Sequence, residues 1–163
     1  MEFIESTIIT PDILARLREV YKLNWNGIHG YSHWMRVRTN GLRLAGLNGA
    51  NTRIIEWFAF LHDIQRENDG ADWFHGRRAS KLVRTTFYQW IDLPAVELDL
   101  LCQACAGHTG GKKHKDLTVR TCWDADRLDL YRVGTRPNPK YLCTQEARQE
   151  EIIAWAMHNS IVE

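Results

Sequence analysis

The sequence lacks an apolar run of the length that a membrane-spanning helix needs, so we expect no membrane segment. It also lacks a dominant charge, since 21 basic residues stand against 20 acidic ones. No overall field then draws the protein to nucleic acid, and we expect no stable nucleic-acid binding. The segment from Met1 to Asp12 lacks the order of basic, apolar and small residues that marks a signal peptide, which predicts a cytoplasmic protein.

Cysteine is also scarce, and its four occurrences do not have the spacing of a structural zinc site. Cys102 and Cys105 form one C-x-x-C, but on a predicted helix they lie one turn apart beside apolar neighbours. No second pair follows them. We therefore predict that these two cysteines, with Cys122 and Cys143, are buried free thiols and not a metal site, a redox pair or a disulfide.

Strand signals, meaning alternating β-branched runs with hairpin turns, are absent, whereas helical periodicity runs through most of the chain. With 44% hydrophobic residues to fill a core, this predicts a single all-α domain over residues 1–163 with about six to seven helices. Thr10 is predicted to cap the first helix and Ser32 the second. The predicted helices cover about residues 11–23, 32–48, 52–64, 75–90, 94–107, 117–131 and 144–160.

Polar residues occur on helix faces that should be apolar. His33 lies on the apolar face of the second predicted helix, and His62 lies on that of the third, with Asp63 next to it. Asp126 interrupts an apolar face of the sixth helix, whereas Asp124 falls on its polar side. A single residue of this kind is usually a hydrogen-bonded part of the core. Four of them on helices that share one core can be satisfied together by a transition-metal ion, because imidazole and carboxylate are ligands of such ions.

The order of three motifs resembles the HD-domain phosphohydrolase superfamily, which is named for its His-Asp doublet. The motifs are His33 followed by Arg36-Val37, then Phe60-Leu61-His62-Asp63, then Asp124-Ala125-Asp126-Arg127-Leu128-Asp129. The resemblance covers about residues 27–131, the motif-bearing core, and leaves the C-terminal helix at about 144–160 outside it. It implies a bundle of about five core helices and metal ligands at His33, His62, Asp63 and Asp126. It selects Asp126 over Asp124, as the apolar helix face does independently.

Two further histidines suit a centre with two ions. His75 and His108 follow the doublet, and each lies on an apolar helix face. In members of the superfamily with a second ion, histidines after the doublet complete that second site and the doublet aspartate bridges the ions. The resemblance therefore implies one or two divalent transition-metal ions (Mn, Fe, Co, Ni or Zn) per chain. We predict catalytic roles for Asp63, Arg66, His75 and His108.

Basic residues near these motifs are candidates for binding a phosphate. Arg66 lies one turn beyond His62, and Arg77 follows His75 closely. Lys112 and Lys113 follow Gly110-Gly111 in a loop after His108 that could close over an anionic substrate, although a solvated surface loop is an equal alternative. His29 precedes a glycine, which favours a role in supporting a ligand by a hydrogen bond over a role as a ligand.

These features together predict a metal-dependent phosphohydrolase, either a phosphomonoesterase or a phosphodiesterase. Its expected partner is a small phosphorylated substrate, such as a nucleotide, and not a membrane. Two alternatives remain at this point: a di-iron oxygenase on the same scaffold, and a non-catalytic metal-stabilised module that binds a nucleotide. A fold does not determine the substrate.

Overall fold

Helices account for all the regular secondary structure between residues 6 and 162, which are the residues that the computed structural model describes. This confirms the all-α prediction. The sequence analysis also predicted that residues 1–12 are not a signal peptide, and the first five of these residues lie outside the described part. The α-helices are α1 (Pro11–Val20), α2 (Tyr31–Asn48), α3 (Thr52–Leu61), α4 (His75–Thr85), α5 (Ala95–Gly107), α6 (Leu117–Arg127) and α7 (Glu150–Ile161). Three short 3-10 helices cover Phe87–Trp90, Leu130–Val133 and Pro139–Tyr141.

The helix ends differ from the prediction where tight turns replace the last helical residues. α3 ends at Leu61 and not at 64, because the next amides, those of Ile64 and Arg66, bond to carbonyls only three residues back. The ends of the predicted helices 75–90 and 117–131 are likewise 3-10 helices, whereas α1 ends at Val20 because Tyr21 has an extended backbone. The last helix begins at Glu150 and not at 144.

The two predicted caps have opposite outcomes. The Thr10 hydroxyl accepts a hydrogen bond from the Ile13 amide at 3.3 Å, so the first cap is confirmed. Ser32 is not a cap, because α2 already begins at Tyr31 and Gly30 holds the cap position. A Cβ at Gly30 would lie 2.1 Å from the Trp25 carbonyl oxygen, so the preceding loop can fold back onto the helix start only with glycine there.

The core is centred on α3, whose residues from Ile54 to Leu61 are all buried. α3 packs against α2, α5 and α6, while α4 lies against α5. A smaller apolar cluster joins α7 to the rest through residues such as Leu44, Leu128 and Ile153. No helix among the described residues is long and apolar enough to cross a membrane.

The four cysteines are free, as predicted. Cys102, Cys105 and Cys122 are buried, but Cys143 is only half-buried. It lies in the loop before α7, where its sulfur is 3.4 Å from the Arg127 guanidinium. The prediction that all four are buried was therefore wrong for Cys143, since a loop residue is outside the reach of helical periodicity.

Candidate metal centre

Six predicted ligands meet where several helices begin or end. His33 lies in the first turn of α2, His75 opens α4, and Asp126 lies in the last turn of α6; His62, Asp63 and His108 directly follow α3 and α5. The four histidines and Asp63 are buried, while the Asp126 side chain keeps 18% of its surface exposed. Buried groups of this kind require partners, because an isolated ionisable side chain in the core is costly.

The histidines form two pairs. In the first histidine pair, Nε2 of His33 lies 3.1 Å from Nε2 of His62. Asp126 Oδ1 is 3.2 Å from the former nitrogen and 3.6 Å from the latter. These three side chains offer ligand atoms that all lie within 4.8 Å of one another, so one ion could bind all three.

In the second histidine pair, Nε2 of His75 lies 2.8 Å from Nε2 of His108. Asp63 Oδ1 faces this pair, at 2.9 Å from His75 and 3.5 Å from His108. Glycine at position 76 permits the approach, because a Cβ there would lie 2.3 Å from the Cys105 carbonyl oxygen on α5.

Asp63 lies between the two pairs. Its other oxygen, Oδ2, is 3.5 Å from Nε2 of His33 and 3.4 Å from Nε2 of His62. One carboxylate oxygen therefore faces each histidine pair, which is the arrangement that a bridging ligand between two ions requires.

Hydrogen bonds at Nδ1 determine which nitrogen of each ring is free. His33 Nδ1 lies 2.6 Å from Asp129 Oδ2, and His62 Nδ1 lies 3.0 Å from the Ala59 carbonyl oxygen. Nδ1 of the second pair likewise contacts carbonyl oxygens, those of Asp72 and Cys105. Because these partners only accept, each Nδ1 carries a proton, and Nε2 of each neutral ring presents a lone pair.

The donor set fits metal ions. Two lone pairs that face each other across 2.8 or 3.1 Å repel, unless a proton or a metal ion lies between the rings. Two nitrogens bound at right angles to one ion, each about 2.1 Å from it, lie about 3 Å apart. The mixed imidazole and carboxylate ligands match first-row transition ions, and each histidine has the outer hydrogen bond that orients a ligand.

The field at the centre favours a positive charge. Burial lowers the pKa of His62, but the Asp63 and Asp126 carboxylates outweigh burial and raise it to about 10. Burial raises the pKa of Asp63 and that of Asp126, yet the facing histidines bring both well below the usual value. In the second pair, burial has the larger effect on His108 and lowers its pKa. A proton on His62 can thus separate the rings of the first pair.

Metal binding should release protons, because an ion must displace the proton from His62. With a pKa of about 10, His62 is protonated at pH 7 in the metal-free protein. Because this proton must leave before the ion binds, the metal affinity should rise about tenfold per pH unit up to about pH 10. Calorimetric titration with Mn²⁺ in two buffers of different ionisation enthalpy should give at least about one proton released per ion. Identical heats in both buffers would contradict this assignment.

Asp129 is a candidate site residue to which the sequence analysis assigned no role. It is fully buried, and its carboxylate accepts hydrogen bonds from His33 Nδ1 at 2.6 Å and from Arg36 Nε at 2.8 Å. Such a carboxylate fixes the ring of a ligating histidine and increases its basicity. The sequence did contain an indication of this role, because Asp129 is the last residue of the third motif.

Asp124 is buried, so its predicted place on the polar side of α6 was wrong. Its carboxylate accepts hydrogen bonds from the Cys143 amide at 2.6 Å, from the Thr144 amide at 2.8 Å and from the Thr144 hydroxyl at 2.7 Å. The segment before α7 covers this side of α6. Asp124 thus binds the backbone of that segment and lies outside the histidine cluster.

A cavity of about 620 Å³ opens above the centre, and we call it the metal cavity. Asp63, His75, His108 and Asp126 lie in its wall. Its positively charged wall residues are Arg66, Arg127 and Arg132, of which only Arg66 was predicted as a substrate contact. Arg66 Nε is 3.3 Å from Asp63 Oδ1, and its Nη1 bonds to two loop carbonyls.

His29 also lies in the wall of the metal cavity. Its Nδ1 is 2.8 Å from Asp69 Oδ1, another residue of the wall. Among the described residues it makes no hydrogen bond to a proposed ligand. The structure thus places His29 close to the centre, but gives no sign of the supporting bond that the sequence suggested.

The remaining predicted phosphate contacts lie outside the metal cavity. Arg77 is exposed, with its guanidinium 5.7 Å from the centre of the Phe74 ring. Lys112 and Lys113 line a neighbouring cavity instead. Both lysines lie in a loop, and the helical spacing of apolar residues does not predict the direction in which a loop runs.

Comparison with known proteins identifies the fold. No protein-family model matches the sequence, and no curated protein sequence matches it. The chain is similar to a crystal structure described as that of a predicted HD superfamily hydrolase from an uncultured Thermotogales bacterium. The two chains are 23% identical, and the match covers 92% of this chain and 86% of the other with a TM-score of 0.70. The protein therefore has the HD-domain fold, which the three motifs predicted.

Proposed function

We propose that the protein is a metal-dependent phosphohydrolase acting on a nucleotide or another small phosphate ester, in the cytoplasm. The observation that carries the proposal is the position of Asp63 between the two histidine pairs. One of its carboxylate oxygens is directed to each pair. His33, His62 and Asp126 would hold the first ion, and His75 and His108 the second. The resemblance of the motifs and the shared HD-domain fold support the same ligands.

Bound divalent ions supply a water of lowered pKa and neutralise charge on phosphoryl oxygens. The chain's own residues would orient the substrate. Arg66, fixed by Asp63 and by the carbonyls of Asn68 and Gly70, is placed to bind a phosphate oxygen at the wall. His29 has Nδ1 held by Asp69, which leaves Nε2 able to donate or accept a proton in the metal cavity.

The wall of the metal cavity favours hydrolysis of an anion over the two alternatives. Three arginines and three aspartates lie in it, and two of the aspartates, Asp63 and Asp126, are proposed metal ligands. With ions bound to those two, the arginines would leave the wall positively charged, which suits a phosphorylated substrate better than an uncharged substrate of an oxygenase. A binding module would need only one tightly held ion, whereas two bridged ions suit the attacking and leaving oxygens of an in-line displacement.

The proposal is tested with a panel of phosphomonoesters, phosphodiesters and nucleotides, assayed on protein whose metals have been identified by elemental analysis. Hydrolysis of at least one substrate should depend on metal and should be lost in His62→Ala. Oxygen consumption without phosphate release would favour the oxygenase. Tight nucleotide binding without turnover in any metal would favour the binding module.

Arg66→Ala should lower kcat/KM for phosphate esters by roughly 10- to 100-fold while metal content is unchanged, because a charged hydrogen bond to the phosphate is lost. Arg77→Ala is the matched control and should stay within about twofold of the unmodified protein, since Arg77 lies outside the metal cavity. Equal effects of the two variants on kcat/KM would show that Arg66 does not bind the substrate phosphate.

A further inference from the structure

A second cavity, of about 540 Å³, adjoins the metal cavity, and we call it the basic cavity. It is formed by the loop before α6, by α6 itself and by the segment between residues 140 and 148. Five cationic residues lie in its wall, and no aspartate or glutamate does; the cations are Lys112, Lys113, Arg120, Lys140 and Arg148.

These five cations have no ion-pair partner within the described part of the chain. Some exposed arginines elsewhere are paired, such as Arg84 with Asp99 and Arg136 with Glu150. His114, also in the wall, accepts a hydrogen bond from the Asp116 amide at Nδ1, at 3.0 Å. Cations clustered without acidic neighbours produce a local positive potential that attracts anions.

The arginines of the basic cavity have hydrogen-bond donors to spare. Arg120 Nε is buried and has no hydrogen-bond partner in the span from residue 6 to residue 162. A buried donor without an acceptor costs free energy. Arg148 donates from Nε to the Leu142 carbonyl oxygen at 2.9 Å, which fixes the side chain and leaves its terminal nitrogens for a ligand.

The two cavities share a wall. Tyr141 lies in the walls of both. Arg127, directly after Asp126, bonds to the Tyr141 carbonyl oxygen at 3.1 Å and to the Gly111 carbonyl oxygen. It thus fixes the two segments that carry Lys140 and Lys112, and it holds the basic cavity next to the metal cavity.

We propose that the basic cavity binds a second phosphate group of the substrate, so that the preferred substrates are small molecules with two or more phosphates. This inference rests on the proposed function for the reacting phosphate, which would lie at the metal centre. Clustered lysine and arginine donors are the usual protein ligands of phosphate. The size of the basic cavity and the small net charge of +1 suit a small polyphosphorylated molecule better than nucleic acid.

The first test measures anion binding without turnover. Inorganic phosphate is titrated calorimetrically into the metal-loaded protein at low ionic strength. Lys113→Gln/Lys140→Gln should lose one phosphate-binding event or weaken it by roughly tenfold, since two charged hydrogen bonds are removed. Lys22→Gln/Lys81→Gln, with the same change of charge at two exposed positions outside both cavities, should bind as the unmodified protein does.

The second test compares the mono-, di- and triphosphate of one nucleoside as substrates. Lys113→Gln/Lys140→Gln should lower kcat/KM roughly tenfold for the di- and triphosphate and leave that for the monophosphate within about twofold. Unchanged phosphate binding in this variant, or equal losses for all three substrates, would overturn the inference. If no phosphate ester is hydrolysed at all, the proposed function fails, and the titration alone decides whether the basic cavity binds phosphate.

Discussion

Replacing Asp63 with asparagine should release both ions and reduce phosphate-ester hydrolysis by ~1,000-fold or more. One oxygen of this carboxylate faces each histidine pair, and an amide can offer neither the charge nor a second oxygen. No other single side chain among the described residues reaches both pairs in this way. Elemental analysis of gently purified protein, together with the hydrolysis assay, measures the two effects.

Two further variants separate bridging from simple loss of a ligand. His75→Ala should keep the first ion, lose the second and lose most of the activity. Asp69→Asn is the matched carboxylate control, because Asp69 lies in the wall of the metal cavity but bonds to His29 and to neither histidine pair. It should keep both ions. Full metal content in Asp63→Asn would show that Asp63 does not bridge.

Asp126→Asn and Asp124→Asn should have opposite effects, although the two residues are only two positions apart. Asp126 faces the first histidine pair, so Asp126→Asn should lose the first ion and about 100-fold or more of the activity while the protein stays folded. Asp124 accepts three hydrogen bonds from the segment before α7, so Asp124→Asn should keep its metal and lose about 2–3 kcal/mol of stability.

Thermal unfolding and elemental analysis together distinguish these outcomes. A loss of 2–3 kcal/mol lowers Tm by roughly 5–10 °C in a protein of this size. Asp126→Asn should instead be recognised by the loss of the first ion, which elemental analysis measures. If Asp124→Asn released the metal at an unchanged Tm, the division of roles between the two aspartates would be wrong.

Much of the fold could be predicted from the sequence, because a helix that packs on one face repeats its apolar residues every three to four positions. The ends of helices could not be predicted as well. The bonds to carbonyls three residues back after Leu61 depend on local backbone geometry, and the helical period extends through them. The direction of the loop with Lys112 and Lys113 could not be predicted either, because hydrogen bonds from the distant Arg127 fix it.

The aspartates of α6 show what the helical period can and cannot reveal. It placed Asp126 on an inward face, where the first histidine pair now gives it partners. It placed Asp124 on the outside, because the segment that buries Asp124 lies twenty residues further on and contributes nothing to the pattern within α6. The bond from His33 to Asp129 spans 96 positions, which no local pattern can show.

The proposed ligands are spread from His33 to Asp126 and belong to or adjoin five different helices. An ion bound to them would act as a cross-link, because it joins parts of the chain that separate when the protein unfolds. Free ion at a thousand times its dissociation constant adds about 4 kcal/mol to the stability of the folded state. Domains are stable by only about 5–15 kcal/mol, so the supply of metal in the cell would also govern how well this chain resists proteases.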